Sequence, residues 1–457
     1  MATDCIPQLT FRFQENSKPV VATFDMAHAS SDGGAVLLKS LDARLKLTEQ
    51  MASCLTDQRQ PGKVQHELLE LVRQRVFGLA CGYPDGNDAA RLADDPIHKL
   101  LVGRDPLSGP ALASQPTLSR FENQMGRKDL YRLSLALADR VIVHHRRRLK
   151  GKARRITIDL DPTDDPTHGQ QEFTFFNGHY DTWCYLPVVA TVSFDKEPEQ
   201  YLVGVVLRPG NASAKQGAIG ILRRLLSKLR TAFPRARLRV RLDGGFQDNG
   251  IMDFLEAEGV EYLMALASNA RLEKRARRLL GTARRLSRET GQSAQLYGET
   301  RYAAQKWSHK RRVILKAEVV RHPGRDPRDN PRFVVTNLPY KPETVYGIYR
   351  QRGDAENRYK ELHAGLELDR TSCHRFLANQ FRVLLTAMAY VLLQELRRQA
   401  RGTDCADAQV STLRERLFKL AVWVERSVRR IVLHLPVSFP WLRSWRQIAC
   451  AVGASPG

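Results

Sequence analysis

The sequence predicts an α/β protein in which a mixed sheet is flanked by mainly helical N- and C-terminal regions. Apolar side chains in residues 64–79, and again in residues 384–396, recur at the three- and four-residue spacing of helices. Between them, residues 156–161 and 238–243 alternate apolar and polar side chains, which is the pattern of strands. The change of period along the chain indicates the fold class.

The central region alternates strands and helices in a definite order. Strands are predicted at residues 156–161, 185–194, 201–207, 238–243, 262–267 and 333–336, and helices at residues 214–232 and 248–258. Three strands, a helix, a strand, a helix and a strand is the order of a ribonuclease-H-like fold, in which the first and fourth strands are neighbours. We therefore predict a ribonuclease-H-like core. A β-rich insertion, with a basic helix and strands at residues 303–307 and 312–320, interrupts it.

The charge balance restricts the partners of the protein. The chain contains 72 Lys and Arg residues against 49 Asp and Glu residues, which gives a formal net charge of +23. A surface this basic favours nucleic acid, because neutralised phosphates release condensed counterions. A basic membrane-surface protein is the alternative, but no segment combines an apolar face with a cationic one as interfacial helices do.

Cysteine usage and apolar segments predict a soluble, cytoplasmic protein. The seven cysteines are scattered and never form a Cys-x-x-Cys pair, which argues against a disulfide framework and against a zinc site. Met1–Thr10 carries Asp4 and has no apolar core, so no signal peptide is expected. The apolar stretch at residues 383–393 has about half the length needed to span a bilayer.

The two predicted strands that should be neighbours both end in an aspartate. Asp161 closes the first strand, and Asp243 closes the fourth. With these strands side by side, the two carboxylates would meet at one end of the sheet. Asp159 lies on the same strand face as Asp161 and is the alternative first carboxylate. Because a single aspartate at a strand end is common, the interpretation depends on there being two.

Residues 349–361 hold a polar pattern with helical spacing. In a helix, Tyr349, Arg352 and Glu356 lie three and four residues apart on one face, and Lys360 extends that face. A phenol, a guanidinium and a carboxylate on one face suit a metal ligand flanked by phosphate-binding groups. Charge-rich helix faces are usually only solvated, so the interpretation depends on the position of this segment, directly after the strand that follows the insertion.

Together these residues resemble a known family. Tyr349-x-x-Arg352-x-x-x-Glu356 with the two strand aspartates is similar to the catalytic core of DDE transposases from bacterial insertion sequences, the Tyr-Arg-Glu-Lys motif group (transposase DDE domain group 1). The resemblance extends to the sequences around both aspartates, Asp-Leu-Asp-Pro-Thr-Asp-Asp and Arg-Leu-Asp-Gly-Gly-Phe. It covers essentially the whole chain. One position departs from the motif, because His363 stands where the family has Lys, and Lys360 lies one turn earlier.

The resemblance implies an enzyme that binds the terminal inverted repeats of its element, cleaves the DNA ends and transfers the 3′-hydroxyls to target DNA. Asp161, Asp243 and Glu356 would be the catalytic carboxylates and would bind Mg²⁺, for which Mn²⁺ can substitute, while Tyr349 and Arg352 would contact the DNA end. Carboxylates without His or Cys suit Mg²⁺, and two ions suit an in-line phosphoryl transfer. The implied partners are double-stranded DNA of the transposon ends and the target, and a second copy of the chain in a homodimer. The implied location is the bacterial cytoplasm, in association with the nucleoid and without a membrane.

Further DNA contacts are predicted outside the motif. Arg146, Arg147 and Arg148 belong to a basic run before the first core strand, where they are placed to follow phosphates. Arg120 lies in a pair of short helices that could form a helix-turn-helix, although such pairs are common in helical bundles. Trp307 lies among basic residues of the insertion. Related transposases place an aromatic ring there against a flipped base, and packing in a small core is the alternative.

These patterns divide the chain into regions. The predicted regions are residues 1–150, mainly helical and DNA-binding; residues 151–268 and 333–400, the catalytic core; residues 269–332, the insertion subdomain; and residues 401–457, a helical region for dimerisation or DNA contact. Two other functions fit the same sequence. One is a catalytically inactive DNA-binding protein or repressor, and the other is a metal-dependent nuclease without strand transfer.

Overall fold

The structure is a computed structural model that describes residues 8–455. The signal-peptide prediction concerns Met1–Thr10, so most of that segment lies outside the described residues. The elements before the central sheet are mainly helical: β1 (Gln8–Phe11), β2 (Val20–Thr23), β3 (Ala29–Ser30), α1 (Val36–Leu45), α2 (Leu47–Ser53), α3 (Leu68–Cys81), α4 (Asp88–Arg91), α5 (Pro96–Val102), α6 (Gln115–Asn123) and α7 (Arg127–Arg148). The predicted helical character of this region is therefore confirmed, with a two-stranded hairpin, β1–β2, at its start.

The central elements alternate strands and helices: β4 (Arg155–Pro162), β5 (Asp165–Pro166), β6 (Phe175–Asn177), β7 (Thr182–Tyr185), β8 (Val188–Phe194), β9 (Tyr201–Val206), α8 (Ala218–Ala232), β10 (Arg237–Leu242), α9 (Asn249–Ala257), β11 (Glu261–Leu266), α10 (Ala270–Thr290), β12 (Ala294–Tyr302), β13 (Arg311–Val320), β14 (Arg328–Asp329) and β15 (Arg332–Thr336). Their largest sheet has nine strands in the order β12-β13-β15-β11-β10-β4-β8-β9, with β14 on β13. The fold is thus mixed α/β with a large mixed sheet.

The first and fourth core strands are neighbours, as predicted. β10 pairs with β4 in parallel, and the register places Leu242 opposite Leu160. β11 continues this parallel set on one side, and β8 and β9 add antiparallel strands on the other. Because β4 and β10 run in the same direction and in this register, the residues that follow Leu160 and Leu242 lie side by side at one end of the sheet.

The insertion strands continue the main sheet. β12 and β13 are antiparallel partners, β13 also pairs with β15, and α10 packs against both strands. The strand predicted at residues 303–307 is wrong, because this segment forms the turn between β12 and β13. The Trp307 N–H donates to the Ala304 carbonyl at 3.0 Å, and the pairing of the two strands already ends at Tyr302 and Arg311.

The C-terminal elements combine helices with a hairpin: α11 (Pro342–Arg350), α12 (Gly353–Lys360), α13 (Phe376–Gln399), α14 (Val410–Leu413), β16 (Val422–Arg426), β17 (Ile431–His434) and α15 (Leu442–Ala451). The chain after residue 401 is less helical than predicted. β16 pairs with β3 near the start of the chain, so strand pairing joins the two terminal regions.

α13 is the central helix of the core. It is long and apolar enough to cross a membrane, yet 89% of its most apolar window is buried inside the fold. α1, α3, α7 and β9 pack around it, so its apolar composition is explained by protein contacts. A separate apolar cluster on the sheet, with Leu263, Ile314 and Val345, includes α11 and the ring of Tyr349.

Candidate active site

Asp161 and Asp243 meet at the ends of two adjacent parallel strands. Asp161 is the second-last residue of β4 and is only 9% exposed. Asp243 directly follows β10. Burial raises the pKa of Asp161 to about 7; Arg352 lowers it, and the charge of Asp243 raises it. Asp243 also caps the turn that follows, since its Oδ1 accepts from the Gly245 N–H at 2.9 Å. Two carboxylates in one partly buried place repel each other, which favours a bound cation.

Asp159 has a different environment from Asp161. Arg241, on the neighbouring strand, donates from Nε to Asp159 Oδ1 and from Nη2 to Asp159 Oδ2, both at 2.7 Å. Both side chains are buried, and Arg241 also donates to the Ile348 carbonyl at 3.0 Å. Because both oxygens of Asp159 are already bound to a guanidinium, the geometry favours Asp161 as the first carboxylate.

Arg352 lies against the aspartate pair. Its Nη1 donates to Asp161 Oδ2 at 2.8 Å, and both side chains are largely buried. Burial raises the pKa of the neighbouring Tyr349, and the positive charge of Arg352 opposes this shift. Tyr349 and Arg352 of the predicted motif therefore lie near the carboxylates, and Arg352 bonds directly to Asp161.

Glu356 lies on the second of two helices that divide the motif. The residues do not lie on one continuous helix, because α11 ends at Arg350 and α12 starts at Gly353. Glu356 is exposed on α12. Within residues 8–455, no group of three His, Cys, Asp or Glu side chains with ligand atoms within 4.8 Å of one another includes Asp161, Asp243 or Glu356. The three predicted carboxylates therefore do not form a close ligand cluster among the described residues.

His363, and not Lys360, contacts the carboxylate end of β4. His363 lies in a π-helical turn, Glu361–Gly365, and its Nε2 is 3.0 Å from Thr163 Oγ1. Thr163 follows Asp161 by two residues, whereas Lys360 is exposed at the end of α12. The position at which the motif has Lys is therefore close to the site.

A family model described as transposase DDE domain group 1 matches residues 13–454. The chain belongs to the transposase DDE domain group 1 family. A search of curated proteins found no match. The match spans nearly the whole chain, so the terminal regions are part of the family domain and not additions to it. Membership supports a transposase function, which implies DNA binding, and such enzymes typically use divalent metal ions.

Several residues at the site of this transposase-family protein carry no signal in the sequence. Arg241 was not predicted, because its pairing with Asp159 depends on strand register. Tyr180 lies in the turn between β6 and β7. Burial, together with the negative charges of Asp164, Asp161 and Asp243, raises its pKa to about 12. The spacing of residues within one element could not have revealed either contact.

The other predicted DNA-binding residues of this transposase-family protein lie in different environments. Trp307 is half-buried, with the Tyr302 ring edge-on at 5.4 Å and the Arg311 guanidinium 5.5 Å from its centroid. These contacts favour the alternative that Trp307 packs in a small core. Arg120 is exposed on α6. Arg146 and Arg147 are exposed near the start of β4, away from Asp161. Arg148 instead donates to both Glu197 oxygens, at 2.7 and 2.9 Å.

The donor atoms at Asp161 and Asp243 fit a divalent cation. Both are hard oxygen ligands of the kind that Mg²⁺ and Mn²⁺ prefer, and Arg352 is the cation beside them. Two other groups in the described part of the chain have suitable ligand spacing, Asp253–Glu256–His309 and Asp32–Cys81–His98. Each already holds a protein cation, because Arg311 bonds to Asp253 and Glu256 and Lys419 bonds to Asp32.

Proposed function

We propose that this protein is an active DNA transposase that cleaves the ends of its element and joins their 3′-hydroxyls to target DNA. The observation that carries the proposal is the pairing of Asp161 and Asp243 at adjacent strand ends, with Arg352 against them. Buried like charges repel and are retained where a cation or a reaction requires them. Family membership gives this arrangement its reaction class.

The proposal includes a ribonuclease-H-like core. The order β9-β8-β4-β10-β11, with β8 antiparallel and with β4, β10 and β11 parallel, supports it. We also propose the predicted domain division, with residues 151–268 and 333–400 as the catalytic core and residues 269–332 as an insertion. The insertion strands lengthen the same sheet, so this subdomain would stiffen the edge of the core.

Asp161, Asp243 and Glu356 would hold the divalent ions. When bound, such ions activate an attacking oxygen and stabilise the leaving oxygen of a phosphodiester. Glu356 would reach the pair through a turn of α12 at the break between α11 and α12. Arg352 would then exchange its bond to Asp161 for one to a DNA phosphate, which a guanidinium binds well. Tyr349 and His363, beside it, would position the DNA end without forming a covalent bond to it.

The proposed partners are transposon-end DNA, target DNA and a second copy of the chain. The net charge of +23 supports binding to DNA, and a homodimer would bring two ends together. A second candidate function is DNA binding without catalysis. The exposed position of Glu356, apart from the aspartates, is the observation that favours it.

The test is incubation of the purified protein with labelled end DNA and Mg²⁺, with the Asp243→Asn variant as control. We expect nicked ends and joined products with the natural sequence, and neither with the variant. Binding without cleavage by the natural sequence would support the second candidate. Cleavage without joined products would instead indicate a nuclease.

A further inference from the structure

A basic groove lies at the start of β4 and β10, at the opposite end of these strands from the carboxylates. It has a volume of about 1570 Å³. Eight of its lining residues are exposed arginines and lysines: Arg146, Arg147, Lys150, Lys152, Arg154, Lys196, Arg235 and Arg237. We call this set the rear groove. Because Arg155 and Asp161 are six residues apart on one strand, the rear groove lies about 20 Å from the aspartate pair.

The fold gathers these cations from three separate segments. α7 ends at Arg148, and a turn through Lys150 and Gly151, both with positive φ, reverses the chain into β4. The Gly151 N–H closes the helix by donating to the Arg146 carbonyl at 2.9 Å. Arg235 comes from the segment between α8 and β10, Arg237 is the first residue of β10, and Lys196 lies just after β8. The cations therefore face one concave space and do not extend along a single solvated helix.

The charges of the rear groove are not compensated by the protein. Within residues 8–455, none of the eight side chains forms an ion pair with a carboxylate; the nearest pairs involve Arg148 and Arg155. Asp195 is the one acidic residue in the lining. Its Oδ1 already accepts from the backbone N–H groups of Arg154 and Arg155, both at 2.9 Å. Eight uncompensated cations repel one another, which favours a polyanion in this space.

We infer that the rear groove binds the phosphate backbone of duplex DNA, so that each protomer holds DNA at a second place, separate from the cleaved bond. The identity of the polyanion rests on the proposed function. A membrane surface fits less well, because the cations line a concave space and a flat surface would reach only its rim. The contacts carry charge and no base-reading groups at fixed positions, so the groove follows the backbone and does not read sequence.

The DNA in the rear groove is either the element's own DNA next to its terminal repeat or the target DNA. Both present the same phosphates to the rear groove. Two duplexes of about 40 base pairs, roughly 140 Å long, distinguish them, one with the end sequence of the element and one with a random sequence.

The test is the salt dependence of binding, measured by fluorescence anisotropy in EDTA. The groove variant combines Arg146→Gln, Lys152→Gln and Arg235→Gln. The control variant combines Arg277→Gln, Arg278→Gln and Arg288→Gln on α10, which removes the same charge from exposed positions without ion pairs in the described structure. We expect the groove variant to lower the slope of log K against log salt by two to three, at about 0.9 per phosphate, and to weaken binding at least tenfold. The control variant should change both far less.

Each outcome decides the inference. Equal losses for both duplexes support backbone binding of any DNA, and a loss confined to the end duplex supports contact with the element's own DNA. Equal salt slopes and affinities for the groove and control variants would overturn the inference. It would also be overturned if the groove variant lost binding to vesicles rich in phosphatidylserine while its DNA binding was unchanged. No bond is cut in EDTA, so this result is independent of the cleavage test of the proposed function.

Discussion

Arg352 donates a hydrogen bond to Asp161 at 2.8 Å, so a guanidinium occupies the space beside a carboxylate that the motif assigns to metal binding. Both side chains are largely buried, so losing one partner would leave the other charge without compensation. The positive charge of Arg352 also offsets part of the negative charge of the aspartate pair. The same arginine is expected to contact the DNA end, so DNA and Asp161 would compete for it.

Arg352→Ala should weaken both end binding and cleavage. Loss of one charge-assisted bond to phosphate costs about 1.5–3 kcal/mol, or about tenfold to a hundredfold in affinity. Anisotropy titrations and cleavage of labelled ends measure the two effects. Arg350→Ala, which removes an exposed arginine from the same segment, is the matched control. Equal effects of both substitutions would show that Arg352 contributes only general charge.

Glu356→Gln should abolish cleavage and leave end binding within about 1 kcal/mol, since a single surface-charge change has little effect elsewhere. The reason is that Glu356 would supply a ligand for the ions and would not hold the DNA. Asp354→Asn, at an exposed position two residues earlier, should retain cleavage within about twofold. Normal cleavage by Glu356→Gln would remove Glu356 from the proposed site.

Asp159→Asn should mainly lower folding stability, whereas Asp161→Asn should mainly remove the response to Mg²⁺. Asp159 is half of a buried ion pair with Arg241, so its substitution leaves an uncompensated buried charge and should cost about 3–5 kcal/mol of stability. Asp161→Asn should cost less stability than Asp159→Asn, because burial already disfavours the ionised form of Asp161 and an amide oxygen can still accept from Arg352. It should instead remove the rise in melting temperature that we expect on addition of Mg²⁺. A metal response lost only in Asp159→Asn would reverse the assignment of the first carboxylate.

The strand pattern was sufficient to predict the aspartate pair. Alternation of period two in residues 156–161 and 238–243 identifies two half-buried strands, and the order of elements makes them neighbours. The choice between Asp159 and Asp161 could not be made in this way, because both lie on one strand face. Arg241 favours Asp161, because it binds Asp159 from the opposite position in the strand register.

The break in the motif segment could also not be predicted from the sequence. The spacing of Tyr349, Arg352 and Glu356 fits one helix, yet the chain breaks between α11 and α12. Tertiary contacts determine the direction of α12. Glu361, directly after it, accepts from Tyr390 on α13 at 2.7 Å and bonds to Arg397 on the same helix. Such long-range contacts override local periodicity.

The contribution of His145 to stability should fall as the pH decreases below neutrality. Burial lowers its pKa well below the ordinary value of 6.5, and Arg148 donates to its Nδ1 at 3.0 Å, which requires the neutral ring. Because the folded state binds fewer protons than the unfolded chain, this stabilisation is complete above pH 6.5 and is lost as the pH falls, by up to about 1.4 kcal/mol per unit.

Melting temperatures of the natural sequence and His145→Gln, between about pH 5 and pH 8, test this dependence. The variant should be less stable at high pH, since it loses buried packing, and should show a flatter profile below pH 6.5. His322→Gln, which removes an exposed histidine, should keep the natural profile. Parallel profiles for the natural sequence and His145→Gln would exclude a contribution of His145.

His363 should contribute more to cleavage than Lys360. His363 is 3.0 Å from Thr163 and so lies beside the strand end that carries Asp161, whereas Lys360 is exposed on α12. We expect His363→Ala to lower the rate of end cleavage by about tenfold, the effect of one lost charge-assisted contact, and Lys360→Ala to lower it less. His363→Lys, which restores the residue of the family motif, should recover most of the rate, because an ammonium group at this position can bind the same phosphate. A larger loss in Lys360→Ala would place the motif lysine's role one helical turn earlier, and would require α12 to turn its exposed face towards Asp161 when DNA binds.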